Sequence, residues 1–252
     1  MSSELDLSAF KVLSFDCYGT LIDWEAGIAA VLSPWAEEQG LTHTAEELLA
    51  AYADSEAAVE RELPAALYPQ VLATAFRRTG EALAASVGDL WARRLAESVP
   101  DWPAFPDSAA ALARLAKHYR LIIVSNVHRA GFAASNQRLR GEFAAVITAE
   151  DVGAYKPAEN HFRALQEKLT ELGVARGELL HVAQSLFHDH MPAGRLGLKS
   201  VWINRRHDRA GWGATPKPTG ELSVALELHS LAELADAAGR AFGGGPGAAA
   251  SA

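Results

Sequence analysis

The chain opens with a short apolar run, Val12-Leu13-Ser14-Phe15, set between Lys11 and Asp16. So few residues predict a strand rather than a helix, and apolar side chains on both sides of it predict burial on both faces. After Leu21 the spacing of apolar positions turns helical for about 80 residues, with helices expected over Glu25 to Gln39 and Thr44 to Glu62. Thr44 followed by Glu47 reads as the capping box that starts the second of these. Pro100, Pro103 and Pro106 then break the pattern and mark a return to another regime. Beyond them helical and strand patterns alternate: helix Asp107 to His118, strand Tyr119 to Asn126, a helical stretch from Arg129, strand Ala145 to Thr148, helix Ala158 to Leu172, strand Leu179 to Gln184, a short helix over Met191 to Leu196, and strand Ser200 to Asn204. Strands joined through helices require right-handed crossovers, hence a parallel sheet covered on both faces. The expected organisation is an α/β core from residues 1–22 and 101–242, an all-helical insertion over 23–100, and a glycine- and alanine-rich tail, 243–252, with nothing to bury and expected to be disordered.

Composition narrows the partners. The 252 residues carry 31 acidic and 23 basic side chains, a formal charge of −8, with no lysine or arginine run of the kind that tracks nucleic acid or an anionic membrane. Cys17 is the single cysteine, so no intramolecular disulfide forms. No apolar run approaches the roughly 18 residues needed to span a bilayer, and Met1 to Asp6 lacks the basic start of a signal peptide. The expectation is a soluble cytoplasmic protein acting on a small molecule.

The polar residues that close each predicted strand carry the chemistry. In open parallel sheets reactive groups gather beyond the carboxyl ends of strands, so Asp16, in Asp16-Cys17-Tyr18-Gly19-Thr20-Leu21, is the candidate nucleophile. Cys17 points to the opposite side from Asp16 and Tyr18 and reads as a small buried hydrophobe. Ser125-Asn126 ends an aliphatic strand where a helix begins, a place that both caps the helix and binds anions. Lys156, before Pro157 in a glycine-bearing segment, reads locally as a solvated loop cation. Asp189 sits between His188 and His190, but adjacent residues on such a turn point different ways and make poor metal ligands, so no metal is expected.

These four segments, in this order, resemble the motifs of the haloacid dehalogenase (HAD) superfamily, and Asp16-Cys17-Tyr18-Gly19-Thr20 with Val201-Trp202-Ile203-Asn204-Arg205 is most similar to its hydrolytic L-2-haloacid dehalogenases. The resemblance implies a Rossmann-like core with a helical cap, no cofactor, and often a homodimer. It implies that Asp16 forms an ester with substrate, that Lys156 and Asp189 set its charge, and that Thr20, Ser125 and Asn126 hold the substrate carboxylate. Phosphatases of the superfamily carry a second acid where this chain has Tyr18, whose unperturbed pKa near 10 disqualifies it as a substitute at neutral pH. That replacement favours a leaving group that departs without a proton, such as halide. Tyr18, Trp24, His188 and, on the inserted helices, Arg61 are the candidates to surround the halide and substrate, with fluoroacetate among the acids considered. The chain departs from the subgroup at Phe162, where many members have tyrosine, and at Gln184-Ser185-Leu186, where they have a Ser-x-Asn pair. Opening of a strained ring through the same ester, phosphate-ester hydrolysis, and a non-catalytic binding role are the rival readings.

Overall fold

The computed structural model describes residues 5–219 and 222–243, so the tail after Gly243 lies outside the described residues. Six strands, β1 (Val12–Phe15), β2 (Arg120–Ser125), β3 (Ala145–Thr148), β4 (Leu179–Ala183), β5 (Ser200–Ile203) and β6 (Leu226–Leu228), form one sheet in the order β3-β2-β1-β4-β5-β6. Every pairing is parallel. Ten helices accompany it: α1 (Trp24–Glu38), α2 (Ala45–Glu62), α3 (Tyr68–Ala82), α4 (Asp89–Ala96), α5 (Ser108–Leu115), α6 (Arg129–Leu139), α7 (Ala149–Val152), α8 (Asn160–Glu171), α9 (Met191–Arg195) and α10 (Leu231–Gly243). The predicted elements are all present with ends moved by one to a few residues; β6, a half-buried edge strand of three residues, carries too little pattern to be read in advance.

The alternation of side chains along β1 and β2 explains why their sequences are continuously apolar. Val12, Ile122 and Val124 face α8 through Phe162, Leu165 and Leu169. Leu13, Phe15, Leu121 and Ile123 face the other way, into a core shared with α5, α6 and α10. A parallel strand wet on neither side needs no polar alternation.

Between β1 and β2 the chain is helical from α1 to α4, and these helices share the second core. The capping box at the start of α2 forms as expected, Thr44 N donating to Glu47 Oε2 at 2.8 Å and Glu47 N to Thr44 Oγ1 at 3.3 Å. Trp35 of α1 packs edge-on against Phe76 of α3, ring centroids 5.0 Å apart. Trp102, fully buried, stands edge-on to both Tyr18 and Tyr68 and thereby joins the β1 turn to α3. α1 passes Trp102 so closely that a Cβ on Gly27 would lie 2.2 Å from its ring. Gly27→Ala is therefore expected to cost about 1–3 kcal/mol through overpacking, read as a lower urea midpoint with unchanged slope; a variant as stable as the parent would show that the Trp102 ring shifts freely.

Candidate active site

Because β1 lies between β2 and β4, the residues that follow these strands meet at one edge of the sheet. Asp16 comes directly after β1, its amide donating to Val182 O at 3.1 Å, and only 5% of the residue is exposed. The chain then turns sharply at Gly19, whose φ of +92° an L side chain rarely adopts. That turn folds Thr20 back so that its Oγ1 donates to Asp16 Oδ2 at 2.7 Å while accepting from Gln184 N at 2.9 Å.

Lys156 is delivered by the loop after α7. Thr148 and Asp151 cap α7 reciprocally, and Gly153, at φ +64°, ends it. Asn126 then grips the lysine backbone from both sides, Oδ1 accepting from Lys156 N at 2.7 Å and Nδ2 donating to Lys156 O at 3.1 Å. Lys156 Nζ is buried and commits its three protons to Asp16 Oδ1 (2.9 Å), Asp189 Oδ1 (2.7 Å) and Val124 O (2.9 Å). Asp189 lies in a wide helical turn, Leu186–His190, that follows β4. Its Oδ1 also meets His181 Nε2 at 3.0 Å, and His181 Nδ1 meets Ser14 Oγ at 2.8 Å, so a buried Ser14-His181 pair holds the carboxylate from behind. Asp189 Oδ2 is buried without a partner.

The electrostatics follow from this packing. Burial alone would strip Lys156 of its proton, yet Asp16 and Asp189 outweigh it and raise the lysine above its ordinary value. Burial also pushes Asp16 upward, with Lys156 and Thr20 pulling against it. For Asp189 the desolvation is overcome by Lys156 and His181, which hold its carboxyl far below the usual range. His188 is lowered by burial to about 4 and is neutral at physiological pH.

Above this edge the inserted helices close a cavity of about 30 Å³, two to three times what one water molecule requires. Asp16, Tyr18, Asn126, Lys156, His188 and Asp189 line it from the sheet side, together with Trp24, which starts α1. Three residues that the sequence patterns do not single out join them from the helical side: Glu56 and Glu60 of α2 and Tyr68 of α3. Thr215, from the segment before β6, adds a buried hydroxyl without a partner. The i,i+4 spacing of Glu56 and Glu60 puts both on the buried face of α2 with Leu49, Tyr52 and Val59, which in hindsight is the one signal the sequence carries for them.

Other expectations shift. Arg61 is exposed and lines a separate groove with Tyr155, Pro157 and Phe187, because the α2 face turned to the cavity is the one bearing Glu56 and Glu60; among the described residues no arginine lines the cavity. Thr20 has both hydroxyl roles filled by Asp16 and Gln184, so it positions the carboxylate instead of holding substrate. The Tyr18 hydroxyl is paired with Ser135 at 2.9 Å and offers the cavity its ring. Ser125 Oγ is buried without a partner and does not line the cavity, while Asn126 is committed to the Lys156 backbone. His190 has both ring nitrogens engaged, by Ser200 Oγ and Ala183 O.

Glu56 shows how burial couples to pH. Burial raises its carboxyl to about 7, against the Tyr68 and Tyr52 hydroxyls that donate to its Oε1. A folded-state value above the unfolded 4.5 contributes stability that is fully present below about 4.5 and lost as pH rises through about 7. Glu56→Gln, whose amide oxygen can still accept both hydroxyls, is expected to flatten that slope by up to roughly 3 kcal/mol between pH 4.5 and 7.5. Urea titrations across that range test this; parallel curves for parent and variant would refute it.

A buried aspartate locked to a lysine and a second aspartate at the carboxyl edge of a parallel sheet defines a hydrolase-type centre. The sequence profile of the haloacid dehalogenase-like hydrolases matches residues 10–183, and the chain belongs to that family. No curated protein sequence matches it. Among solved structures, the L-2-haloacid dehalogenase of Xanthobacter autotrophicus superposes with a TM-score of 0.71 at 19% identity, covering 90% of this chain and 97% of that one. A defluorinating L-2-haloacid dehalogenase gives 0.70 at 17% identity, covering 90% and 94%. The HAD-hydrolase YfnB of Bacillus subtilis, described as bound to magnesium, gives 0.71 at 19% identity, covering 91% and 98%. At such identities these likenesses establish the fold. The donors here do not fit a magnesium site: a phenol, Tyr18, stands two residues after Asp16, and Asp16 Oδ1 and Asp189 Oδ1 are both taken by Lys156.

Proposed function

We propose that this hydrolase removes halide from a small 2-haloacid by way of an ester on Asp16, giving the 2-hydroxy acid. The observation that carries the reading is the Asp16–Lys156–Asp189 cluster facing a small cavity with a phenol, not an acid, two residues after the nucleophile. Asp16 attacks the substituted carbon opposite the halogen. Water then attacks the ester carbonyl, so the configuration at carbon inverts once. Lys156 keeps Asp16 charged, and Asp189, held by His181, keeps Lys156 charged and aimed. His188 Nε2 and Thr215 Oγ1, buried in the cavity wall without partners, are the donors left for the substrate carboxylate. Residues 23–100 act as the cap that contributes Trp24, Glu56, Glu60 and Tyr68, while 1–22 and 101–242 carry the reacting groups.

The test is a single turnover of racemic 2-chloropropionate in H₂¹⁸O, followed by mass analysis of the peptide containing Asp16. Label in that aspartate and consumption of one enantiomer to the inverted lactate are the expected results. Label appearing directly in lactate, with none in the peptide, would refute the ester route.

A further inference from the structure

Glu60 stands out among the carboxyls of the cavity because no cation pairs with it directly and only one long hydrogen bond reaches it. Its side chain is 8% exposed, its Oε2 lies 3.9 Å from His188 Nε2, and its Oε1 receives only a long 3.4 Å contact from Asn126. Lys156 is fully committed elsewhere. Glu56, one turn earlier, differs: two tyrosine hydroxyls donate to one of its oxygens, an arrangement suited to an acceptor. Of the pair, Glu60 is the one whose surroundings suit a neutral carboxylic acid, which presents an O–H to the cavity. Thr215 Oγ1 and His188 Nε2, unpartnered in the same wall, show that the cavity holds back polar capacity for something bound there. The His188 Nδ1 faces Ser185 Oγ at 3.0 Å, a hydroxyl that also accepts from His188 N; with the Ser185 proton turned to Nδ1, Nε2 carries the ring hydrogen and is a donor.

We propose that Glu60 is the proton donor to the departing halide, and that the site therefore suits a leaving group that needs a proton, fluoride first. This rests on the Asp16 ester reading. As the Asp16 oxygen bonds to carbon, the carbon–fluorine electron pair leaves on fluorine, which takes the Glu60 proton. The Glu60 carboxylate then takes a proton from the water that attacks the Asp16 ester carbonyl. Collapse of that intermediate frees the hydroxy acid, whose oxygen takes the remaining proton, so one haloacid and one water yield one hydroxy acid and one hydrogen halide. Burial and the neighbouring Glu56 push Glu60 well above the ordinary carboxyl value, against Lys156 and Asn126, in the direction of the protonated form. The groups that face it are Glu56 on α2, Tyr68 on α3, Asn126 after β2, Tyr155 and Lys156 before α8, and His188 after β4. His188 is already neutral and burial raises both tyrosines, so loss of activity toward alkaline pH reports the carboxyl pair.

Halide release from fluoroacetate and bromoacetate is to be compared for the parent and Glu60→Gln from pH 5.5 to 9, with thermal unfolding confirming the fold. Under single-turnover conditions the variant is expected to lose about 100-fold or more in the rate of fluoride release, to lose at least about 20-fold less in the rate of bromide release, whose first step needs no proton, and to lose the alkaline limb of fluoride release. Equal losses on both acids, undiminished fluoroacetate turnover, or a surviving alkaline limb would overturn the proposal. If the parent releases halide from neither acid, the dehalogenase reading fails, and Glu60 is judged on fluoride ion alone, by quenching of tryptophan fluorescence. Binding at least about tenfold weaker in Glu60→Gln then upholds the donor, whereas equal affinity, or no binding to the parent, overturns it. Asp16→Asn, silent with both acids yet still binding fluoride, separates the two readings.

Discussion

Asp16→Asn is expected to lower haloacid turnover by about 10⁴-fold or more without unfolding the protein, because an amide oxygen is a poor nucleophile and nothing else near the carbon can replace it. The fold survives for an electrostatic reason. Burial raises the Asp16 carboxyl above its ordinary value, so in the native state the charged form is penalised at every pH above the unfolded value of 3.8. A neutral amide escapes that penalty, its one oxygen can still accept from Lys156 while its amino group, placed against Thr20 Oγ1, can donate to that hydroxyl, and Lys156 stays paired with Asp189. The thermal midpoint at pH 7 should therefore equal or exceed that of the parent. Residual activity above a few per cent, after mass spectrometry has excluded deamidation, would remove Asp16 from the mechanism.

Lys156→Met should be the most damaging single change to stability. It leaves Asp16 and Asp189 facing each other in the interior with no cation between them, a loss of about 3–5 kcal/mol for one partner of a buried ionic network. The sign with pH is diagnostic. In the parent, the depressed Asp189 contributes stability that is present above its unfolded value of 3.8 and disappears as pH falls below it. In the variant both carboxyls are raised instead, so the penalty grows with pH and is relieved in acid. Parent and variant should thus be far apart at pH 7.5 and converge toward pH 4.5 in urea titrations. A difference that stays the same at both pH values would mean that the lysine contributes packing alone. Turnover disappears in the variant as well, since an unaccompanied Asp16 takes up a proton.

Much of the fold was legible because its causes are local. Val12 to Phe15 and Leu121 to Val124 are apolar without interruption because both of their faces are covered, and that signature needs no knowledge of what covers them. The Thr44 and Glu47 cap acts across one helical turn, and the prolines after Val99 act on the residues beside them. The ends of β1, β2 and β4 converge because parallel strands must start and finish together, so Asp16, Asn126 and Asp189 could be brought to one place by topology before any coordinate was known.

What lies across the cavity from that edge obeys no local rule. Which face of α2 turns inward is decided by how α1 and α3 pack around it, and this is why Arg61 ends outside while Glu56 and Glu60 end inside, five and one residues earlier on the same helix. Thr215 reaches the wall from a segment almost 200 residues after Asp16, and His181 finds Asp189 only because the wide turn after β4 folds back over its own strand. The sequence alone determined the α/β scaffold and the place of Asp16 at a strand end, through strand periodicity, whereas Lys156 and Asp189 were legible through the motifs that resemble those of the haloacid dehalogenase superfamily. The lining of the cavity, the pairing of Tyr18 with Ser135 and the upward shift of two buried glutamates were decided by tertiary packing, because burial, and the desolvation that shifts a carboxyl, depends on neighbours that are distant in the chain.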